Sequence, residues 1–140
     1  MGYVDINVEG TALTSCSHHG YASTGFSRTG KCENRDTDLG NHHVCLDLNL
    51  SDGSNFCAQT GQNDWCEEQH PCHVDGQNAC KIDTWCVCQW AFAEIVAKVG
   101  CDNVAIDCPA TSMRALDRYR SDVSKYDHAI KCLQTKCDLE

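Results

Sequence analysis

Cysteine content constrains this chain more than any other feature of its sequence. Thirteen of its 140 residues are cysteines, a proportion that reaches the range typical of a disulfide scaffold. Because the number is odd, at least one sulfur stays outside any intramolecular pairing. A chain of this length buries about two-thirds of its surface without covalent help. The cysteines therefore indicate an oxidising environment or a chemical role, not the rescue of a small core.

The charge balance excludes two classes of partner. The chain has 20 acidic residues against 11 basic ones, and its net charge is −9. Nucleic-acid binding needs Lys and Arg to neutralise phosphates, and anionic membranes attract basic segments, so neither partner is expected. No run approaches the roughly 20 apolar residues of a membrane span. The first five residues also lack the basic start and apolar stretch of a signal peptide.

Strand periodicity is clearest in the middle of the chain. Residues 43–50 alternate with period two, which predicts a strand with one apolar face and with Cys45 on the other. Shorter strands are expected at 4–8 and at 104–106.

Helical periodicity is clearest at residues 84–99, where apolar side chains follow one continuous stripe. Asp83 is the expected N-cap of this helix and Gly100 its C-terminal end. A last helix is expected at 121–133. Two long loops, which the cysteines are expected to pin, cover residues 14–42 and 51–82.

The segment Trp85-Cys86-Val87-Cys88 is the sharpest local feature of the sequence. If Asp83 caps the helix, Cys86 lies in the first turn, where free backbone N–H groups and the helix dipole stabilise a thiolate. Cys88 belongs to the apolar stripe, so we expect it to be buried in the core or bonded in a disulfide. Cys86 is therefore the candidate catalytic thiol, and His42 is its candidate assistant.

Several short motifs occur in a fixed order along the chain. They are Gly10-Thr11-x-Leu13, Cys16-Ser17, Gly25-Phe26-x-Arg28-x-Gly30-x-Cys32, Asp38-x-Gly40-x-His42-x-Val44-Cys45, Trp85-Cys86-x-Cys88 and Ala110-Thr111. In this order they closely resemble the domain-of-unknown-function family 2237, which is largely bacterial. The resemblance covers about residues 5–126 and implies a compact α+β domain with no established activity. It leaves residues 127–140 as a C-terminal extension that carries cysteines.

The resemblance also divides the cysteines into two sets. The positions shared with the family are Cys16, Cys32, Cys45, Cys86 and Cys88. The additional ones are Cys57, Cys66, Cys72, Cys80, Cys101, Cys108, Cys132 and Cys137. Eight is an even number, so the simplest interpretation is up to four extra disulfides that staple loops, with the pairing left open. Local closures of Cys66 with Cys72 and of Cys101 with Cys108 are guesses.

Four of the shared cysteines, Cys16, Cys32, Cys45 and Cys88, are further candidates for disulfides. So many disulfides favour an oxidising compartment, extracellular or particle-associated, over a reducing cytosol.

Two polar constellations offer alternatives to a purely structural role. Arg28, Asp38, His42 and Thr111 are candidates for binding a small anionic ligand or for acid–base chemistry, although Arg28 and Asp38 could instead pair to hold their loop. Two or three thiolates with an imidazole make a zinc site, and Cys32, His42, Cys45 and Cys86 are the residues that could form it. Their spacing lacks the short paired ligands of structural zinc sites, so simple disulfides are preferred and no cofactor is assigned.

Three interpretations remain open for the single domain expected over residues 1–140. The preferred one is a non-enzymatic, disulfide-stabilised α+β domain, with a short sheet packed by two or three helices, that binds a protein partner or a small ligand. The second is a thiol-based redox or nucleophilic enzyme that uses Cys86. The third is a zinc-stabilised domain. A bonded or fully buried Cys86 argues against the second interpretation.

Overall fold

The structure, a computed structural model, describes residues 5–18, 21–25, 29–35, 37–62, 65–72 and 79–139. In these ranges four helices and two small sheets form a mixed α+β domain, which confirms the predicted fold class. The strands are β1 (Val44–Asp47), β2 (Gln69–His70), β3 (Cys80–Lys81) and β4 (Thr84–Val87). The helices are α1 (Phe56–Gln59), α2 (Gln89–Val99), α3 (Met113–Arg120) and α4 (Val123–Lys136).

Strand β1 is the centre of the fold. It pairs antiparallel with β4, so that Cys45 lies opposite Cys86. Val44 and Leu46 belong to the main apolar core, whereas Cys45 belongs to a second, separate buried cluster. The period-two pattern therefore predicts the strand and its two faces correctly. Both faces are covered, because loops from the N-terminal part of the chain pack on the cysteine side.

The strands predicted at 4–8 and 104–106 do not form over the described residues 5–8 and 104–106. Ile6 and Asn7 make isolated bridges to Ala12 and Ser112, and Ile106 makes a single bridge to Leu46 of β1. Each segment contributes single backbone pairings, and only the one at Ile106 adjoins the β1–β4 ladder.

The helix predicted at 84–99 is wrong in its first turn. Residues 84–87 form β4, and α2 begins only at Gln89, with Cys88 and not Asp83 at the N-cap. Residues 84–87 form backbone hydrogen bonds with β1 instead of helical ones, so pairing with a distant strand overrides the helical pattern of the local sequence. The end of the helix is as predicted, because Gly100 has φ +90° and donates its N–H to the Val96 carbonyl at 3.0 Å.

The last two helices close the core from the side opposite the cysteine cluster. The helix expected at 121–133 is α4, and it is preceded by α3, which the sequence analysis missed. Helix α4 packs against both α2 and α3. The main core is filled by the large buried side chains Phe92, Ile95, Leu116, Tyr119, Ile130 and Leu133. Val123, which the predicted stripe placed inside, is half exposed.

Six disulfides fasten this fold, and they use every cysteine except Cys88. The pairs are Cys16–Cys45, Cys32–Cys86, Cys57–Cys66, Cys72–Cys80, Cys101–Cys132 and Cys108–Cys137. All eight additional cysteines are paired with one another, as predicted. Both guessed local closures are wrong, because Cys66 bonds backwards to α1 and Cys101 bonds to α4.

The length and apolar character needed to cross a membrane are not found in any helix among the described residues.

Candidate functional site

A pocket of about 440 Å³ lies beside the start of α2. Its apolar lining comes from Phe56, Trp65, Trp85, Val87 and Ala91, and the remaining lining residues are His42, Thr60, Gln62, Cys86, Cys88 and Glu94. Aromatic walls with a few polar groups are typical of small-molecule sites, whose volumes run from about 300 to 1,000 Å³.

The aromatic wall depends on one of the additional disulfides. The ring centroids of Phe56 and Trp65 lie 6.1 Å apart, and those of Trp65 and Trp85 lie 6.0 Å apart. The disulfide between Cys57 and Cys66 joins the residues that follow Phe56 and Trp65 in the chain. This bond therefore holds the first two rings of the wall together, and the cysteine pattern predicted no such role.

Cys88 is the free thiol of the chain. It is half-buried and lies at the N-cap of α2, where it lines the pocket. The prediction that it is buried in the core or disulfide-bonded is wrong. The error follows from the misplaced helix start: Cys88 is the residue between β4 and α2, so it is not a core position of a helical stripe. Cys86 belongs to the buried cysteine cluster, whereas Cys88 does not.

His42 reaches the same pocket and is held by Asp38. The His42 Nδ1 lies 2.7 Å from Asp38 Oδ1, and the His42 backbone N–H donates to Asp38 Oδ2 at 2.9 Å. The Asp38 side chain is 1% exposed. A carboxylate partner at Nδ1 orients the ring and keeps Nε2 as the basic nitrogen of neutral His42.

The spacing Asp38-x-Gly40-x-His42 has a steric reason. A Cβ at Gly40 would lie 2.6 Å from Cε1 of His42, so only glycine leaves room for the ring in this position. The carbonyl of Asn41 accepts the backbone N–H of Gln89 at 3.0 Å. The loop that carries His42 is thereby docked against the first residue of α2, next to Cys88.

Cys86 does not carry a free thiolate in this structure. It lies on β4, is 1% exposed and is bonded to Cys32. Both features are the ones stated above as arguing against a Cys86 enzyme. The physical cause is again the ladder, which turns Cys86 toward the cysteine cluster instead of presenting it at a helix terminus.

The cysteine cluster consists of Cys16, Cys32, Cys45 and Cys86, packed with Ala110. The sulfur atoms of Cys16, Cys32 and Cys45 all lie within 4.8 Å of one another, and the Cys86 sulfur is bonded to that of Cys32. Of the predicted zinc ligands, three cysteines thus come together. Cys16 joins them, and His42 belongs to the Asp38 pair in the pocket.

The predicted set for an anionic ligand is not assembled at one place. Asp38 and His42 are neighbours, but Thr111 is fully buried beside the cysteine cluster, where it accepts the Cys45 N–H at 3.1 Å and donates to the Asp107 carbonyl at 2.9 Å. Arg28 lies outside the described residues.

His43 is a fully buried histidine directly before β1. It has no exposed surface, and its Nδ1 and Nε2 lie 2.7 Å from Gln89 Oε1 and 3.2 Å from Asn34 Oδ1. Burial lowers the pKa of His43 below its usual value of 6.5, against the smaller opposing effect of the Gln89 hydrogen bond. The neutral ring therefore belongs to the joint between β1 and α2.

Comparison with known proteins agrees with the motif order. The family model described as "Uncharacterized protein conserved in bacteria (DUF2237)" matches residues 6–127. No curated protein matches the chain. The match covers the pocket and the cysteine cluster and stops within α4, before Cys132 and Cys137. The chain thus belongs to the DUF2237 family of uncharacterized bacterial proteins, in a version with six disulfides.

Proposed function

We propose that this chain is a binding domain whose aromatic pocket takes a small apolar or cationic organic molecule. The observation that carries the proposal is the meeting of three aromatic rings, Glu94, His42 and a free thiol in one pocket of about 440 Å³. The disulfides support it because they fix the wall without a ligand, so little ordering cost falls on binding.

Charge argues for the class of ligand. Glu94 is the charged acidic residue of the lining, and the whole chain has a net charge of −9. An anion would be repelled at this surface, whereas a cation over an indole face is attracted by the ring quadrupole. The anionic ligand expected from Arg28 and its neighbours is therefore replaced by a neutral or cationic one.

A matched series of probes tests the proposal. Benzylamine, benzyl alcohol and phenylacetate share one ring and differ in charge, and NMR shifts of the Trp65 and Trp85 indoles report their binding. We expect affinity to fall in that order and the preference for benzylamine to shrink in Glu94→Gln. Glu68→Gln, an exposed change of equal charge outside the lining, is the control. Shifts centred on Trp90, which lies outside this pocket, would contradict the proposal.

The same pocket supports a second function, covalent chemistry at Cys88. The specific observation is that a free thiol and an Asp-oriented imidazole line one cavity. A nucleophile, a base and a group that orients the base are the parts of a thiol enzyme. In this scheme His42 takes the thiol proton while the Cys88 sulfur adds to the carbon of a ligand carbonyl, whose C=O π bond opens and leaves its electron pair on the oxygen; His42 then returns the proton to that oxygen.

Iodoacetamide tests this second function, since Cys88 is the thiol available without reduction. We expect one alkylated cysteine per chain, at Cys88, and slower alkylation with a changed pH profile in His42→Asn. His18→Asn, at an exposed position, is the matched control. An unchanged rate and pH profile in His42→Asn would remove His42 from the chemistry and leave ligand binding alone.

The disulfides also bear on the compartment in which the protein is found. Six disulfides are consistent with an oxidising compartment. We propose an extracellular or particle-associated setting, and the pairing of all eight additional cysteines supports it.

A further inference from the structure

The cysteine cluster differs from an ordinary disulfide because two bonds share one site. The sulfurs of Cys16, Cys32 and Cys45 lie within 4.8 Å of one another, although Cys32 is not bonded to either of the other two. The fourth sulfur, that of Cys86, is attached to Cys32. All four residues are at most 1% exposed. The fold therefore gathers four sulfurs into one dry site, and the disulfides are one way of satisfying them.

Hydrogen bonds hold these cysteines in place independently of the sulfur–sulfur bonds. Cys45 and Cys86 are opposite one another in the ladder. Their backbone N–H groups donate sideways, to Thr111 Oγ1 at 3.1 Å and to Thr24 Oγ1 at 2.9 Å. A pair of this kind, with no hydrogen bonds between its two members, brings cross-strand side chains closest together.

The third cysteine has its own anchors. The Cys16 N–H donates to the Gly30 carbonyl at 2.7 Å, and the Cys16 carbonyl accepts the Thr84 hydroxyl at 2.5 Å. Thr84 is part of β4, so this contact ties the Cys16 loop to the strand that carries Cys86. Breaking both disulfides would leave three of the four cysteines attached to the same framework.

Four neighbouring thiolates are a complete ligand set for zinc. Zn²⁺ binds thiolates at about 2.3 Å with tetrahedral geometry, which places the sulfurs roughly 3.8 Å apart. The sulfurs of Cys16, Cys32 and Cys45 already lie within 4.8 Å of one another. Cys86, whose sulfur is bonded to that of Cys32, would take the fourth position by side-chain rotation after reduction. The tight burial also excludes the water that an open catalytic metal site requires.

We propose that the reduced chain binds one Zn²⁺ through Cys16, Cys32, Cys45 and Cys86, and that oxidation replaces the metal with two disulfides. In the reducing direction each disulfide takes two electrons and two protons from a dithiol, which closes into its own disulfide. The four thiols then lose four protons as they bind Zn²⁺. In the oxidising direction two equivalents of a disulfide oxidant each accept two electrons and two protons and become dithiols, the four Zn–S bonds break as the two cluster disulfides form, and Zn²⁺ leaves.

The experiment uses the full chain, reduced anaerobically with a phosphine and titrated with Co²⁺ as a spectroscopic stand-in for zinc. We expect one Co²⁺ per chain with the thiolate charge-transfer bands of a tetrahedral four-sulfur site, displaced by Zn²⁺. Cys45→Ser should lose that four-sulfur spectrum. The double variant Cys57→Ser/Cys66→Ser, which removes two thiols outside the cluster, should keep it.

A second measurement needs no variant. The reduced wild-type chain is alkylated with and without Zn²⁺, and each cysteine is mapped by mass spectrometry. We expect Zn²⁺ to slow alkylation of the four cluster cysteines about tenfold or more and to leave Cys88 unprotected. Equal alkylation of all thirteen cysteines with and without Zn²⁺, or protection of a different set, would overturn the proposal.

Discussion

The disulfides of this chain fall into two regions with different construction. Two of them lie in the cysteine cluster, a buried group of four cysteines beside β1 and β4. The other four stand apart, each tying one loop or one helix end to its neighbour. Only the first group offers three or more sulfurs within 4.8 Å of one another among the described residues. The disulfides thus have two arrangements: two of them share one buried site, and the other four are separate staples.

The four separate disulfides join loops and helix ends outside the β1–β4 ladder. Cys57–Cys66 and Cys72–Cys80 close short stretches of 9 and 8 residues. Cys101–Cys132 and Cys108–Cys137 fasten α4 to the turns that follow α2. Each of these four bonds joins cysteines that lie outside β1 and β4.

Removing one disulfide from each region should separate them most clearly. Cys32–Cys86 encloses 54 residues and Cys72–Cys80 encloses 8. Under non-reducing conditions we expect Cys32→Ala/Cys86→Ala to lose about 4 kcal/mol of unfolding free energy and Cys72→Ala/Cys80→Ala about 2.5 kcal/mol. Urea unfolding of the two variants and the wild type measures both losses. Equal losses would contradict loop length as the origin of the difference between the two bonds.

Two glycines test how closely the chain next to the cysteine cluster is packed, and the expected changes in stability are smaller. Gly25 has φ +97°, and a Cβ there would overlap the carbonyl oxygen of Lys31, next to Cys32. Gly53 has φ +89° with open space around it. Gly25→Ala should therefore cost about 3 kcal/mol, from strain plus displacement of the backbone, and Gly53→Ala about 1 kcal/mol from strain alone.

Thermal unfolding of both alanine variants checks this difference. If Gly25→Ala costs no more than Gly53→Ala, the loop before Cys32 is not held closely and the framework of the cluster is weaker than we describe.

The joint between β1 and α2 at His43 should show the smallest effect, and it depends on pH. Burial lowers the pKa of His43 below 6.5, so the folded state keeps this ring neutral while the unfolded state binds a proton more readily. Its stabilising contribution is therefore present above the unfolded pKa and is lost as the pH falls below it. We expect the unfolding free energy to decline from neutral pH toward about pH 5, and the decline to be shallower in His43→Gln.

His18→Gln is the control for this pH experiment, since His18 is exposed. A decline of the same slope in the wild type and in His43→Gln would show that buried His43 does not cause the loss of stability at low pH.

Much of the architecture could be predicted because it depends on patterns close together in the chain. The alternation through Val44, Cys45 and Leu46 fixes which side of β1 carries sulfur, and Gly100 ends α2 as its missing side chain allows. The start of α2 could not be predicted in this way. Residues 84–87 are too few to distinguish a helical pattern from a strand, and pairing with β1 decided between them.

The candidate site was harder to predict than the fold. The motif that contains Asp38 and His42 drew attention to the right loop, and the structure explains its glycine. Trp65 and Glu94 carried no sequence signal, because an aromatic or acidic residue becomes a pocket wall only when distant segments meet. Thr111 was singled out as a ligand-binding residue, but in the structure its hydroxyl oxygen accepts the backbone N–H of Cys45.

The sequence by itself determined that this protein is cysteine-rich, that it is acidic and that it belongs to the family. Composition and motif order are properties of the sequence and do not depend on the fold. It also determined that one sulfur would remain unpaired, because thirteen is odd. Only the tertiary structure decided that this sulfur is Cys88 and not Cys86, and that four others share one site. The physical reason is that disulfide partners and pocket walls are chosen by distances in space, which the β1–β4 ladder sets across residues far apart in the chain.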